Sequence, residues 1–265
     1  DFCLSRGLGD VYKRQGTYSA HMVAVPDFDW QSLSKQFVES LGLEFNPLTT
    51  QIESHDWQAE LYQAVTHFNR IAHNLATDIW SYISIGYFKQ TPVKGATGSS
   101  TMPHKVNPIK FENAESNLEI SNAILDSLAQ TLVTSRLQRD LSDSSSQRNI
   151  GVGFGHSLVA LDNIHKGLAE LNVADSVMAA DLADNWEVLA EAIQTVIRAE
   201  VVAGKSKIKD PYELLKELTR GKRLTREDLA DFILKLDISK PARQRLLSLS
   251  PKDYVGLADK LAESI

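Results

Sequence analysis

Apolar residues recur every three or four positions along most of this chain, and nowhere do they alternate with polar ones as a half-buried strand requires. The longest run follows Asp56, a residue suited to a helix start. Leu61, Val65, Phe68, Ile71 with Ala72, Leu75, Ile79 and Ile83 form one stripe along it. Before it, Trp30 to Leu41 opens after Asp29, a good N-cap, and carries Leu33, Phe37 and Leu41 at a spacing of four. Gly86 and a polar loop interrupt the long stripe. Pro108 then opens another helix, where a first-turn proline loses no hydrogen bond, and Leu118, Ile124, Leu125, Leu128 and Leu132 mark its buried side. A polar stretch, Arg136 to Ser146, leads into a further helix from about Asn149 to Leu171.

Beyond residue 170 the texture changes. Glu187 to Arg198 is amphipathic, Gly204 to Lys209 is a polar break, and shorter helices follow with clear start signals at Asp210-Pro211, Thr225 to Asp228, Ser239 and Ser250-Pro251. The predicted fold is all-α: a bundle of long helices over residues 16–170 and a small C-terminal helical domain over 171–265. A long helix apolar over so wide a face is hard to cover within one chain, so the core is expected to be shared between subunits.

Composition narrows the functional classes. The 265 residues are 43% hydrophobic and 23% charged, with net charge −6, which disfavours nonspecific binding to nucleic acid or anionic membranes. No apolar run approaches the roughly 20 residues that span a bilayer. One cysteine, Cys3, allows no intrachain disulfide and fits a cytoplasmic protein. The seven histidines show no metal-ligand spacing, so no metal and no cofactor are expected.

The chemistry is concentrated in the loop Gly98-Ser-Ser-Thr-Met-Pro-His-Lys-Val-Asn-Pro108. Gly98 adds backbone freedom, while Pro103 and Pro108 fix φ and remove donors, so this stretch is neither helix interior nor central strand. Tandem hydroxyls, an ammonium and a carboxamide in one loop suit chemistry on an anion, although single residues of these types in loops are mostly solvated. The whole string resembles the signature loop of the fumarase/aspartase superfamily, Gly-Ser-Ser-x-Met-Pro-x-Lys-x-Asn-Pro, at every fixed position. Gly16-Thr-Tyr-Ser-Ala-His21, Asn46 to Glu53, Ser135 to Leu141 and Tyr212 to Gly221 resemble the superfamily's adenylosuccinate lyase branch.

The resemblance runs from Gly16 to the C-terminus and implies a homotetramer whose central helices form one bundle. It implies elimination of fumarate from two succinyl nucleotides of purine biosynthesis. It makes Ser99 the general base, with Ser100 the runner-up. Lys105 and Asn107 would bind the succinyl carboxylate or the phosphate, and Gln51, Arg139, Ser144 and Arg148 would contact the nucleotide. Glu112, seven residues after Lys105, would orient a catalytic histidine, although a carboxylate near a helix N-terminus is also favourable in itself. His104 and His21 receive no catalytic role. Residues 1–15 match nothing expected before Gly16 and are taken as a foreign extension, such as a translated cloning tail. The branch's general acid is a histidine in a Thr-His-Gly-Gln-Pro-like stretch upstream of the Gly16 segment. That stretch is missing here, so these 265 residues alone are expected to show little or no activity. The rival readings are another lyase of the superfamily, argininosuccinate lyase above all, and a non-catalytic structural protein on the same fold.

Overall fold

The computed structural model describes residues 18–48, 53–91, 107–134, 142–219 and 224–265. The chain forms two compact units, one from residues up to Ile83 with Gln90–Leu171, the other from Ser84–Lys89 with Asn172–Ile265.

In the first unit the helices are α1 (Ser19–Ala24), α2 (Trp30–Ser40), α3 (Asp56–Ser84), α4 (Ile109–Leu132), α5 (Ser142–Ser146) and α6 (Ile150–Ala169). Asp29 caps α2 by accepting the Ser32 N–H at 3.0 Å. The three long helices α3, α4 and α6 run alternately up and down. Trp80 meets Glu112 while Asn69 meets Ser121, and Phe111 meets Gly167 while Leu125 meets Gly153. An all-α unit follows because no described segment here alternates in polarity, whereas these three repeat at helical spacing.

Two features fix the register of the three helices. The first is a wholly buried polar cluster. Asn69 Nδ2 donates to Ser121 Oγ (3.1 Å), Ser121 Oγ donates to the Gly153 carbonyl (2.8 Å), and Ser157 Oγ donates to Asn69 Oδ1 (2.7 Å). Each hydroxyl and amide group so engaged avoids the cost of an unpaired buried polar atom, and a one-turn slip of any helix would forfeit that pairing. The second is close approach at glycines. A Cβ on Gly167 would lie 2.7 Å from the Phe111 ring, and one on Gly153 would lie 2.9 Å from Leu125.

The buried face of α3 is not its most apolar one. Ala59, Tyr62, Thr66, Asn69, Ala72, Ala76 and Ile79 are buried. Leu61, Phe68, Ile71 and Leu75, from the stripe that marks this helix in the sequence, are 46%, 52%, 60% and 44% exposed. Small and polar residues let α3 approach α4 and α6 closely, and the bulky residues are left on an adjoining face. On α4 the expected side is the buried one: Leu118, Leu125, Leu128 and Leu132 are buried, and Ile124 is half-buried.

The second unit contains α7 (Asp175–Ala183), α8 (Ala190–Val202), α9 (Pro211–Thr219), α10 (Arg226–Lys235), α11 (Lys240–Ser248) and α12 (Ala258–Ala262). Ile193, Ile197, Leu229, Ile233, Ala242 and Leu246 lie at the centre of its core. The start signals act as the sequence suggests. Asp210 accepts from the N–H groups of Tyr212 and Glu213, Thr225 and Asp228 form a reciprocal capping box, and Ser239 caps α11. Ser250-Pro251 opens only a single 3-10 turn, Pro251–Asp253. The strands β1 (Phe88–Gln90) and β2 (Leu171–Val173) pair as a two-stranded sheet. At three residues each they are too short for a period-two pattern to register in the sequence.

Candidate functional site

The described candidate residues occupy two ends of the α3–α4–α6 bundle. At one end the chain enters α4 through Asn107 and Pro108. The Pro108 carbonyl accepts the N–H groups of Phe111 (3.0 Å) and Glu112 (3.1 Å), which starts the helix and sets Glu112 in its first turn. There Glu112 Oε1 accepts the indole N–H of Trp80, from the last turns of α3, at 3.1 Å. Thr77 donates to Glu115 at 2.6 Å, and Lys110 pairs with Glu170 just beyond α6. The start of α4 is thus tied to the ends of both neighbouring helices. Glu112 is itself exposed and Asn107 half-buried.

At the other end, Ser144 lies on α5 and Arg148 on the 3-10 turn Gln147–Asn149, both exposed. A cavity of about 330 Å³ lies beside them, lined by Ala123, Ile124, Ser127, Leu128, Ser146 and Asn149. The start of α3 closes this end. His55 sits just before the helix with φ +58°, a left-handed conformation uncommon outside glycine that histidine, like asparagine and aspartate, enters more readily than most residues. It is only 5% exposed. Its backbone N–H donates to Glu53 Oε2 (2.7 Å), and its ring Nε2 accepts from the side-chain amide of Gln147 (2.8 Å). Next to it, the Ser54 hydroxyl donates to Asp56 Oδ1 at 2.7 Å. That bond, with the N–H groups of the first turn, holds the Asp56 carboxyl below its ordinary value.

One chain does not bring its two ends together. Ile124 and Leu128, at the cavity, follow Glu112 on the same helix, and a rise of about 1.5 Å per residue separates them from it by roughly 18–24 Å. Asn107 and Glu112 therefore belong to one locus, Ser144 and Arg148 to another. Gln51, Ser99, Ser100, Lys105 and Arg139 lie outside the described residues. Gln51 is two positions before Glu53, and Arg139 is three before Ser142, where α5 begins. His55 was not legible as a site residue in the sequence. A histidine ahead of an apolar helix reads as ordinary, and only its proximity to the Gln51–Glu53 stretch hints otherwise.

Among the described residues no group of histidine, cysteine, aspartate and glutamate side chains could hold a metal ion. No described helix is long and apolar enough to cross a membrane.

Comparison with known proteins bears on both units. The family described as Lyase matches residues 14–120, and the family described as adenylosuccinate lyase C-terminal matches residues 135–255. Adenylosuccinate lyase of Haemophilus influenzae is 48% identical over 97% of this chain, which covers 55% of that protein. The Escherichia coli K12 enzyme of the same name is 47% identical over 97% of the chain, again covering 55% of the relative. That of Legionella pneumophila (strain Corby) is 50% identical over 94% of the chain and 53% of the relative. The chain spans about half the length of these curated relatives. With both family matches, this identity and the helical architecture in agreement, the chain belongs to the fumarase/aspartase superfamily, in its adenylosuccinate lyase branch.

Proposed function

We propose that the protein carrying this chain is an adenylosuccinate lyase, a carbon–nitrogen lyase. It eliminates fumarate from adenylosuccinate to leave AMP, and from the succinyl-carboxamide imidazole ribotide to leave the free carboxamide nucleotide. The observation that carries the reading is the loop Gly98–Pro108, intact at every fixed position, in a chain 43–50% identical to proteins of that name.

The chemistry assigns the roles. Ser99, with Ser100 as the alternative, takes a proton from the succinyl carbon beside a carboxylate. The electron pair moves to form the double bond of fumarate, the carbon–nitrogen bond breaks, and an acid protonates the departing nitrogen. A hydroxyl is a poor base in water. It needs nearby positive charge, loop N–H donors and a closed site to act as an oxyanion, and Lys105 is the cation in its own loop. The enolate-like state formed as the proton leaves is stabilised by fixed donors, for which Lys105 and Asn107 are suited. Arg139 and Arg148 are guanidinium forks that fit phosphate, with Gln51 and Ser144 as polar partners of the nucleotide. Glu112 orients the protein's catalytic histidine. No step requires a cofactor.

The same proposal includes a homotetramer. Two observations support it: the separation of roughly 20 Å between the two loci within one chain, and the exposed stripe Leu61, Phe68, Ile71 and Leu75 on α3. Subunits that packed these stripes together would bury them, and could set one chain's Ser99 loop against another's Arg148 turn. A cytoplasmic location fits the lone cysteine.

The test is fumarate release. The gene product expressed at its natural length should convert adenylosuccinate to AMP and fumarate and leave argininosuccinate untouched. Ser99→Ala should lower kcat by at least about a hundredfold, the scale of lost general-base catalysis. Turnover of argininosuccinate instead would move the protein to the sister enzyme, and full activity in the Ser99→Ala variant would end the assignment of the base.

A further inference from the structure

We infer that His55 is a positioning residue: it pins the turn that carries Arg148 to the start of α3. The inference rests on the reading of Arg148 as a substrate-binding residue, and it says what holds the turn that carries it in place.

Three observations carry it. The hydrogen bond from the Gln147 amide to His55 Nε2, at 2.8 Å, joins residues 92 positions apart, and Gln147 immediately precedes Arg148 in the same 3-10 turn. The imidazole that receives it is almost fully buried and stands on a residue at φ +58°. Histidine enters this conformation more readily than most residues, but it still costs energy that the contacts around it must offset. Glu53 supplies one such contact by accepting the His55 N–H at 2.7 Å. The third observation is the other ring nitrogen. His55 Nδ1 is buried and makes no hydrogen bond among the described residues, so the Gln147 contact is the one described hydrogen bond that the ring makes. The imidazole is therefore the hinge pin between two chain segments. The Ile150 N–H, bonded to the Gln147 carbonyl, closes the pinned turn onto α6.

Two variants test this in the natural-length protein. Gln147→Leu removes the donor from a half-buried turn without disturbing a core position. His55→Asn keeps a residue that tolerates the left-handed backbone but cannot reach Gln147. Each should speed hydrogen exchange of the Ile150 amide about tenfold, and each should raise KM for adenylosuccinate about tenfold while kcat changes by less than about threefold, the scale of one lost buried hydrogen bond. The double variant should be no worse than either single one, because both remove the same contact. Unchanged exchange at Ile150 overturns the pinning, whatever the activity. Faster exchange with unmoved KM overturns the positioning role and leaves a purely structural histidine. A wild-type protein that releases no fumarate would sink the lyase reading instead, while the exchange experiment would still decide whether the pin exists.

Discussion

A single methyl group decides a good deal at Gly167. In an exposed helix interior, alanine in place of glycine gains up to about 1 kcal/mol of helix propensity. Here the added Cβ would lie 2.7 Å from the Phe111 ring, and that ring is completely buried between α4 and α6. A flat ring in a packed core cannot turn aside, so the helices must separate or Phe111 must leave its rotamer, and overpacking of this kind costs about 1–3 kcal/mol. Gly167→Ala should therefore lower stability by a net ~1 kcal/mol or more, read from urea unfolding. A rise in stability would show that α4 and α6 do not meet there. Asn69 works at the same scale in the opposite way, through what it satisfies. Its side chain joins α3 to both other long helices, and neither its burial nor its partners could be foreseen, because an asparagine on an apolar-periodic helix reads as surface.

Among the elements, those with local start signals were legible and those set by packing were not. Asp29, Asp210, Thr225 with Asp228, and Ser239 each begin a helix where the sequence places one, since a cap is a contact between residues three apart or fewer. The face a helix buries is a tertiary matter. On α4 the bulky residues chose it, whereas on α3 the need for close approach favoured Ala72 and Ala76 over Leu75 and Phe68. Of the candidate site, the loop 98–108 was readable as a string because its residues are contiguous. The role of His55 was not, because it depends on Gln147, a distant turn. One cap reaches beyond its own helix. The Ser239 hydroxyl and N–H, the latter 2.8 Å from Glu200 Oε2, together with the charges of Lys205 and Arg245, hold the Glu200 carboxyl below its ordinary value. A carboxyl depressed in the folded state lends stability at pH values above its unfolded value, and loses that contribution as the pH falls through the folded one. The Ser239 amide resonance should accordingly titrate below about 4.5, the ordinary glutamate value. The C-terminal unit should weaken across that window, and Glu200→Gln should abolish the titration. A midpoint at or above 4.5 would mean that the cap does not favour the carboxylate.

For the whole molecule, the deciding question is what covers α3. Leu61, Phe68 and Leu75 are spaced by seven residues along one face, with Ile71 between them, all substantially exposed within the chain. A repeat of seven with apolar residues at its inner positions is the pattern by which long helices pack side by side. Left in water, a contiguous patch of this kind promotes association. Replacing Phe68 and Leu75 together by glutamate leaves the buried face Tyr62, Asn69, Ala76 and Ile79 untouched. Such exposed changes usually alter the stability of a chain by no more than about 0.5 kcal/mol each. If copies of the chain cover the stripe, the same two charges would stand unpaired in a subunit interface, where burying them costs several kcal/mol per ion. The natural-length protein should then sediment as a tetramer and the double variant as smaller species with far-ultraviolet circular dichroism unchanged. Activity should fall with the loss of assembly, because the Ser99 loop and the Arg148 turn would no longer meet across subunits. A variant that kept its mass would show that another surface holds the subunits together. One that kept its activity as a monomer would show that a single chain assembles the site despite the roughly 20 Å between its two ends.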